Sequence, residues 1–179
     1  THTKKTMHDF INKERLFALL TSLIFILLAL PGFCVSSEPE HEHHPHKAEI
    51  GIGNSAVYFT KDKTLNYGFH FHFSRNIKHS NFSVGAEYER IFDRHGHNMI
   101  GLVAGYSPAH RVELSITPGI LFEDAEPNHA DVSLHFEAGY HFDIKNIHLG
   151  PIVECAVDRH DVHFSIGLHL GIGIGKLIE

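Results

Sequence analysis

Histidine and glutamate dominate the side chains that could do chemistry. The chain of 179 residues holds 19 His and no Trp. Neutral imidazole is the commonest protein ligand for metals and also the side chain that titrates near neutral pH. Four histidines, His41, His43, His44 and His46, crowd the stretch EPEHEHHPHK at 38–47. Further along, His70, His72, His135, His141, His148, His163 and His169 recur in phase with Glu87, Glu113, Glu137 and Glu154. Imidazole and carboxylate together suit borderline divalent cations, so the implied ligands are Zn, Ni, Cu or Mn. With 15 Lys+Arg against 21 Asp+Glu the chain is mildly acidic, and it lacks the basic patch that a nucleic-acid partner requires.

The elements that must position these residues begin after a leader. Residues 16–30 read LFALLTSLIFILLAL, preceded by Lys13 and Arg15 and ended by Pro31 and Gly32. Val35 and Ser37 supply small residues before Glu38. A charged start, a short apolar run and a small-residue site predict a helical signal peptide over 1–37. The apolar run falls short of the roughly 20 residues a spanning helix needs. Pro39 and Pro45 then predict a disordered His-rich linker over 38–47, readable as a metal-scavenging tail or as a soluble spacer. Cys34 and Cys155 provide no disulfide framework.

From Ala48 on, the pattern has a period of two. Eight strands are predicted at 48–58, 64–74, 81–92, 98–107, 110–123, 131–142, 146–158 and 161–174, with short polar turns between them. One face is apolar, as in Leu65, Tyr67, Phe69, Phe71 and Phe73; the other holds Gly, Ser, His and Glu. Alternation alone fits either a soluble sandwich or a membrane barrel. Spanning length, an even strand count and glycine on the polar face favour the barrel. The expected fold is an all-β, closed, eight-stranded, antiparallel, up-and-down transmembrane β-barrel over 48–174, with a C-terminal extension at 175–179. Residues 48–174 resemble the small eight-stranded outer-membrane barrels of the OmpA/OmpX type. That resemblance implies an outer-membrane location, lipid as a partner and no general pore. One departure is the ending GIGIGKLIE, where such barrels usually close on an aromatic residue.

An interior this narrow is filled by its own side chains. The lumen phase contains Glu49, Glu87, Glu89, Glu113, Glu123, Glu137, Glu154 and Asp158 beside the histidines, while lysine is missing and Arg111 is the one arginine. Carboxylates buried without a counter-charge must protonate, pair with His⁺, keep water or bind a cation. Strand direction divides the groups by depth. Glu87, His135, Glu137, Glu154 and His163 fall in the middle to outer half; Glu49, His72, Glu113, His141, His148 and His169 fall toward the periplasmic half. His95, His97, His129 and His160 fall in turns, where they could gather metal.

The functional expectation is a non-enzymatic outer-membrane barrel with a Glu/His lumen that binds or handles divalent transition metals. The alternative is a structural or surface-interaction barrel plugged by a proton-sharing network. A third reading is a lipid-modifying hydrolase. His163-Phe164-Ser165 and the Ser133/His135 pair supply nucleophile and base, but both point into the lumen, away from lipid.

Overall fold

The computed structural model describes residues 46–124, 126 and 129–176. The expected signal peptide, His41, His43 and His44 of the expected linker, and the last three residues lie outside the described residues. Nine strand segments follow one another: β1 (His46–Phe59), β2 (Thr64–Asn76), β3 (Phe82–Phe92), β4 (His97–Ala109), β5 (Val112–Glu123), β6 (Ala130–Tyr140), β7 (Phe142–Ile144), β8 (Ile147–Val157) and β9 (Val162–Lys176). β1 thus begins at His46, two residues inside the predicted linker. β6 and β7 are two parts of one stave, so the barrel has eight. Neighbours pair antiparallel, and β1 pairs with β9 from His46↔Lys176 to Phe59↔His163, which closes the sheet. Closure matters in lipid, because no open edge is left with unpaired backbone groups.

Proline explains where the ladder lapses. The β6–β8 register ends at Gly139↔Ile152 and resumes at Phe142↔Leu149, which sets Tyr140 opposite Pro151. Pro151 has no N–H to donate, so the stave breaks at His141. The His141 amide donates instead to Arg111 O at 2.8 Å. Likewise β4–β5 pairing lapses between Gly101↔Gly119 and Ala104↔Ile116, across from Pro118.

Side-chain direction settles sandwich against barrel. Leu65, Leu102 and Val132 are 69%, 70% and 75% exposed, while His70, Ser133, His135 and Glu154 are buried. A soluble sandwich would bury the first set. The inverted polarity belongs to a barrel whose outer wall meets acyl chains. Aromatic pairs sit outside near both rims: Tyr67–Phe92 at one end, Phe82–Tyr106 and Tyr140–Phe142 at the other. Such girdles mark the two membrane interfaces.

Near one rim the outer wall carries a polar cluster. Arg90 and Asn98 fall in the lipid phase of β3 and β4, near the rim. Arg90 Nη2 donates to Asp124 at 2.6 Å, Arg90 Nη1 donates to Asn98 at 2.7 Å, and Tyr88 Oη donates to Asn98 at 2.8 Å. At interfacial depth a paired charge of this kind is tolerated.

Turns at the rim that holds the two termini of the barrel span 77–81, 110–111 and 145–146; those at the opposite rim span 60–63, 93–96, 124–129 and 158–161. These are called the terminal end and the loop end. Outer-membrane barrels keep short turns in the periplasm and longer loops outside, so this geometry agrees with a periplasmic terminal end.

A substitution tests the wall. Leu102→Arg, near mid-height on β4, is expected to destabilise the barrel in lipid vesicles by about 2–4 kcal/mol. On a water-exposed wall the same change would fall within about 0.5 kcal/mol. Equilibrium denaturant unfolding from vesicles separates the two.

Candidate metal centre

Four staves aim one side chain each at a common point. Glu89 comes from β3, His135 from β6, Glu154 from β8 and His163 from β9. All four are buried in the lumen. Each offers one ligand atom, and these atoms lie within 4.8 Å of one another. His135 Nδ1 sits 3.1 Å from Glu154 Oε1 and 3.5 Å from Glu89 Oε2, and the His135 and His163 rings stand edge to face at 5.7 Å. The His135–Glu154 contact is off the line of a hydrogen bond. Both ring nitrogens of His135, both of His163, and Glu154 Oε1 are therefore buried without a hydrogen-bond partner. Two imidazoles and two carboxylates form a ligand set suited to tetrahedral Zn²⁺. Bonds of about 2.0–2.2 Å place tetrahedral donors roughly 3.3 Å apart, so closing on an ion asks for side-chain movements of about an ångström.

A second group lies toward the terminal end. Glu49 on β1 places Oε1 3.5 Å from His72 Nε2 and 3.5 Å from His169 Nε2. Its other oxygen lies 3.7 Å from His148 Nε2. Asp143 Oδ1 is 2.6 Å from His148 Nδ1, on the far side of that ring. Glycine makes the room. A Cβ on Gly51 would overlap the rings of His72 and His169, and one on Gly171 would overlap the Glu49 carboxylate.

The remaining sequence candidates are spread around these groups. Glu87 accepts a 3.4 Å hydrogen bond from Thr117 Oγ1. Glu137 faces Glu154 across the β6–β8 ladder but joins neither close set. His70 lies beside the second group, 6.0 Å from the His72 ring and 6.2 Å from that of His169. Glu113 reaches His141 at 3.9 Å, and the His46 ring stands 5.8 Å from that of His148. The two carboxylates that anchor the groups, Glu89 and Glu49, stood in the lumen phase but outside the predicted ligand set. Register offered a partial signal for Glu89, which pairs directly with His70.

The loop end opens as a vestibule of about 430 Å³ lined in part by Asp93, His95, His97, Glu123, His129 and His160. Asp131 Oδ2 lies 3.1 Å from His160 Nε2 and 3.4 Å from His129 Nε2. Across it, His97 Nδ1 is 2.9 Å from Asp93 Oδ2. Burial alone would raise the Asp93 carboxyl, but His97 and the amides of Gly96 and His97 hold it below its ordinary value. Phe59 lines the vestibule floor and stacks on His97 at 5.3 Å and on His163 at 4.9 Å.

Neither serine of the catalytic alternative reaches the membrane. Ser133 and Ser165 are buried in the lumen, and Ser133 Oγ has no hydrogen-bond partner. Covalent catalysis needs a nucleophile held by its base and open to substrate; Ser133 has neither and Ser165 lacks access to lipid.

No family model matches this sequence, and no curated protein matches it. Solved structures do match the fold. A designed transmembrane β-barrel superposes with a TM-score of 0.50 at 13% identity, over 75% of this chain and 100% of the design. Neisserial surface protein A (NspA) superposes with a TM-score of 0.54 at 8% identity, over 71% of this chain and 96% of that one. The chain thus has the fold of a small, closed, eight-stranded outer-membrane β-barrel.

Two measurements follow from this geometry. Gly171→Ala is expected to cost about 1–3 kcal/mol by overpacking, and less than half of that when Glu49→Ala is also present. Equal costs in both backgrounds would show that the Glu49 carboxylate is not the neighbour. For Asp93 the folded value is depressed, so its stabilisation is complete above the ordinary 3.8 and is lost as pH falls through the folded value. The Gly96 and His97 amide resonances are expected to shift in that acid range, and to stay unchanged there in Asp93→Asn.

Proposed function

We propose that this protein is a non-enzymatic outer-membrane barrel whose lumen binds a divalent transition metal at Glu89, His135, Glu154 and His163. One observation carries the reading: four ligand-type side chains converge in a buried place where five of their nitrogen and oxygen atoms have no hydrogen-bond partner. Leaving a buried polar atom unsatisfied costs about 1–3 kcal/mol. A cation offsets several such costs at once, and among the described residues no lysine makes an ion pair with these carboxylates. His₂Glu₂ favours Zn²⁺, while Ni²⁺, Cu²⁺ and Mn²⁺ also accept imidazole and carboxylate. The interior is too narrow for a general pore, so the role is holding or handing over an ion. His41, His43 and His44, which precede β1 in the sequence, supply further imidazoles for gathering metal.

The second reading is a proton-sharing plug that serves structure or a surface interaction. The 3.1 Å approach of His135 to Glu154 favours it, because an imidazolium there would neutralise one carboxylate. Elemental analysis decides between them. The untagged full chain, with His41, His43 and His44 changed to Ala, is purified from membranes and dialysed. At least one equivalent of Zn, Ni, Cu or Mn is expected, and about one equivalent fewer in His135→Ala or Glu154→Gln, both still folded by heat-shifted gel migration. Metal-free protein that takes up none on titration overturns the metal reading. Lowered stability in both variants would then support the plug.

A further inference from the structure

We propose that Glu49, His72, His148 and His169 form a second metal site, exchangeable and open to the terminal end of the barrel alone. It stands independently of the buried centre, because it uses other side chains and another access route.

Ligand readiness comes first. The Asp143 carboxylate lies against His148 Nδ1 at 2.6 Å, which places the ring proton on that nitrogen. His148 Nε2, on the other side of the ring, faces Glu49, 3.7 Å away. A carboxylate behind an imidazole is the usual outer support of a metal-ligating histidine. His169 is 2% exposed, and its Nε2 points at Glu49 Oε1 yet has no hydrogen-bond partner. Glu49 thus faces His72 and His169 with one oxygen and His148 with the other. Gly51 and Gly171 give the site its space: any side chain there would occupy the place of these ligands. Three imidazoles and one carboxylate make a set richer in nitrogen than the buried centre, suited to Zn²⁺, Ni²⁺ or Cu²⁺.

Access is one-sided. A small cavity of about 60 Å³ opens at the terminal end and is lined in part by Glu49, His148, Asp143 and His141. An ion arriving there meets Glu49 directly. From the loop end the way is closed, because Val57, Phe59 and Ile91 form a buried apolar cluster and Phe59 caps His163. The vestibule histidines lie beyond that cap. An ion at Glu49 therefore equilibrates with the terminal-end side.

Co²⁺ is the probe, since imidazole ligation gives it a visible ligand-field band. The full chain is used in lipid vesicles, with His41, His43 and His44 changed to Ala, both cysteines changed to Ala, and Glu154→Gln to disable the buried centre. About one equivalent of Co²⁺ with that band is expected. His169→Gln and Glu49→Gln should each weaken binding at least tenfold while gel migration still reports a closed barrel. A bulky maleimide on Arg111→Cys, at the terminal-end mouth, should slow stripping by chelator at least tenfold relative to the unlabelled variant. The same label on Asp62→Cys, at the loop end, should leave the rate unchanged. Three outcomes overturn the proposal: no Co²⁺ bound in the Glu154→Gln background, binding indifferent to His169→Gln and Glu49→Gln, or stripping slowed by the Asp62→Cys label instead. If Glu154→Gln removes all Co²⁺ that the parent holds, this site fails and the buried centre stands. If the parent and the Glu154→Gln chain bind the same single equivalent, the buried centre fails and this site stands.

Discussion

A strand that crosses lipid must find every backbone partner in its neighbours, and the ladder from β1 round to β9 does so by closing on itself. Once the ring is closed, the pleat sends alternate side chains outward to acyl chains and inward to a space the width of a few side chains. The inward residues have no bulk water to solvate them and no second layer to retreat into. What the chain places there must be solved by the chain itself. Here it places glycine, serine, histidine and glutamate, with apolar side chains concentrated near the loop end.

That choice sets the electrostatics of the interior. A buried carboxylate needs a counter-charge or hydrogen bonds, and arginine is the strongest such partner. The one ion pair made by an arginine among the described residues, Arg90 with Asp124, lies on the outer wall at the rim instead. The interior carboxylates meet imidazoles. Imidazole can stay neutral, carry a proton or hold an ion, so the lumen keeps three options where a lysine would leave one. Glycine on the same face is the geometric complement. Gly51 and Gly171 remove bulk where the rings of His72 and His169 and the carboxylate of Glu49 must lie.

Strand phase was legible in the sequence because two periodicities agreed: apolar residues at one parity, histidine and glutamate at the other. The eight staves and the inward set follow from that agreement, and strand direction then divides the inward His and Glu residues into a middle and a terminal-end group. Contacts across the lumen were not legible. Glu89 on β3 meets His135 on β6 only through the diameter and stagger of the closed ring, which adjacent-strand patterns do not encode. Arg90 and Asn98 broke the apolar parity because they pair with each other and with Asp124, which lies beyond the end of β5. The break at His141 was readable in principle from Pro151, but only once the register set Tyr140 opposite it.

Glu49 and His169 lie on opposite sides of the β1–β9 pairing, the junction of the first and last strands. That junction joins residues more than a hundred positions apart and is the costliest to bring together in loop-closure entropy. An ion held by both staves would fasten the ring where it is sewn shut. Loading would then favour the finished barrel over any open sheet.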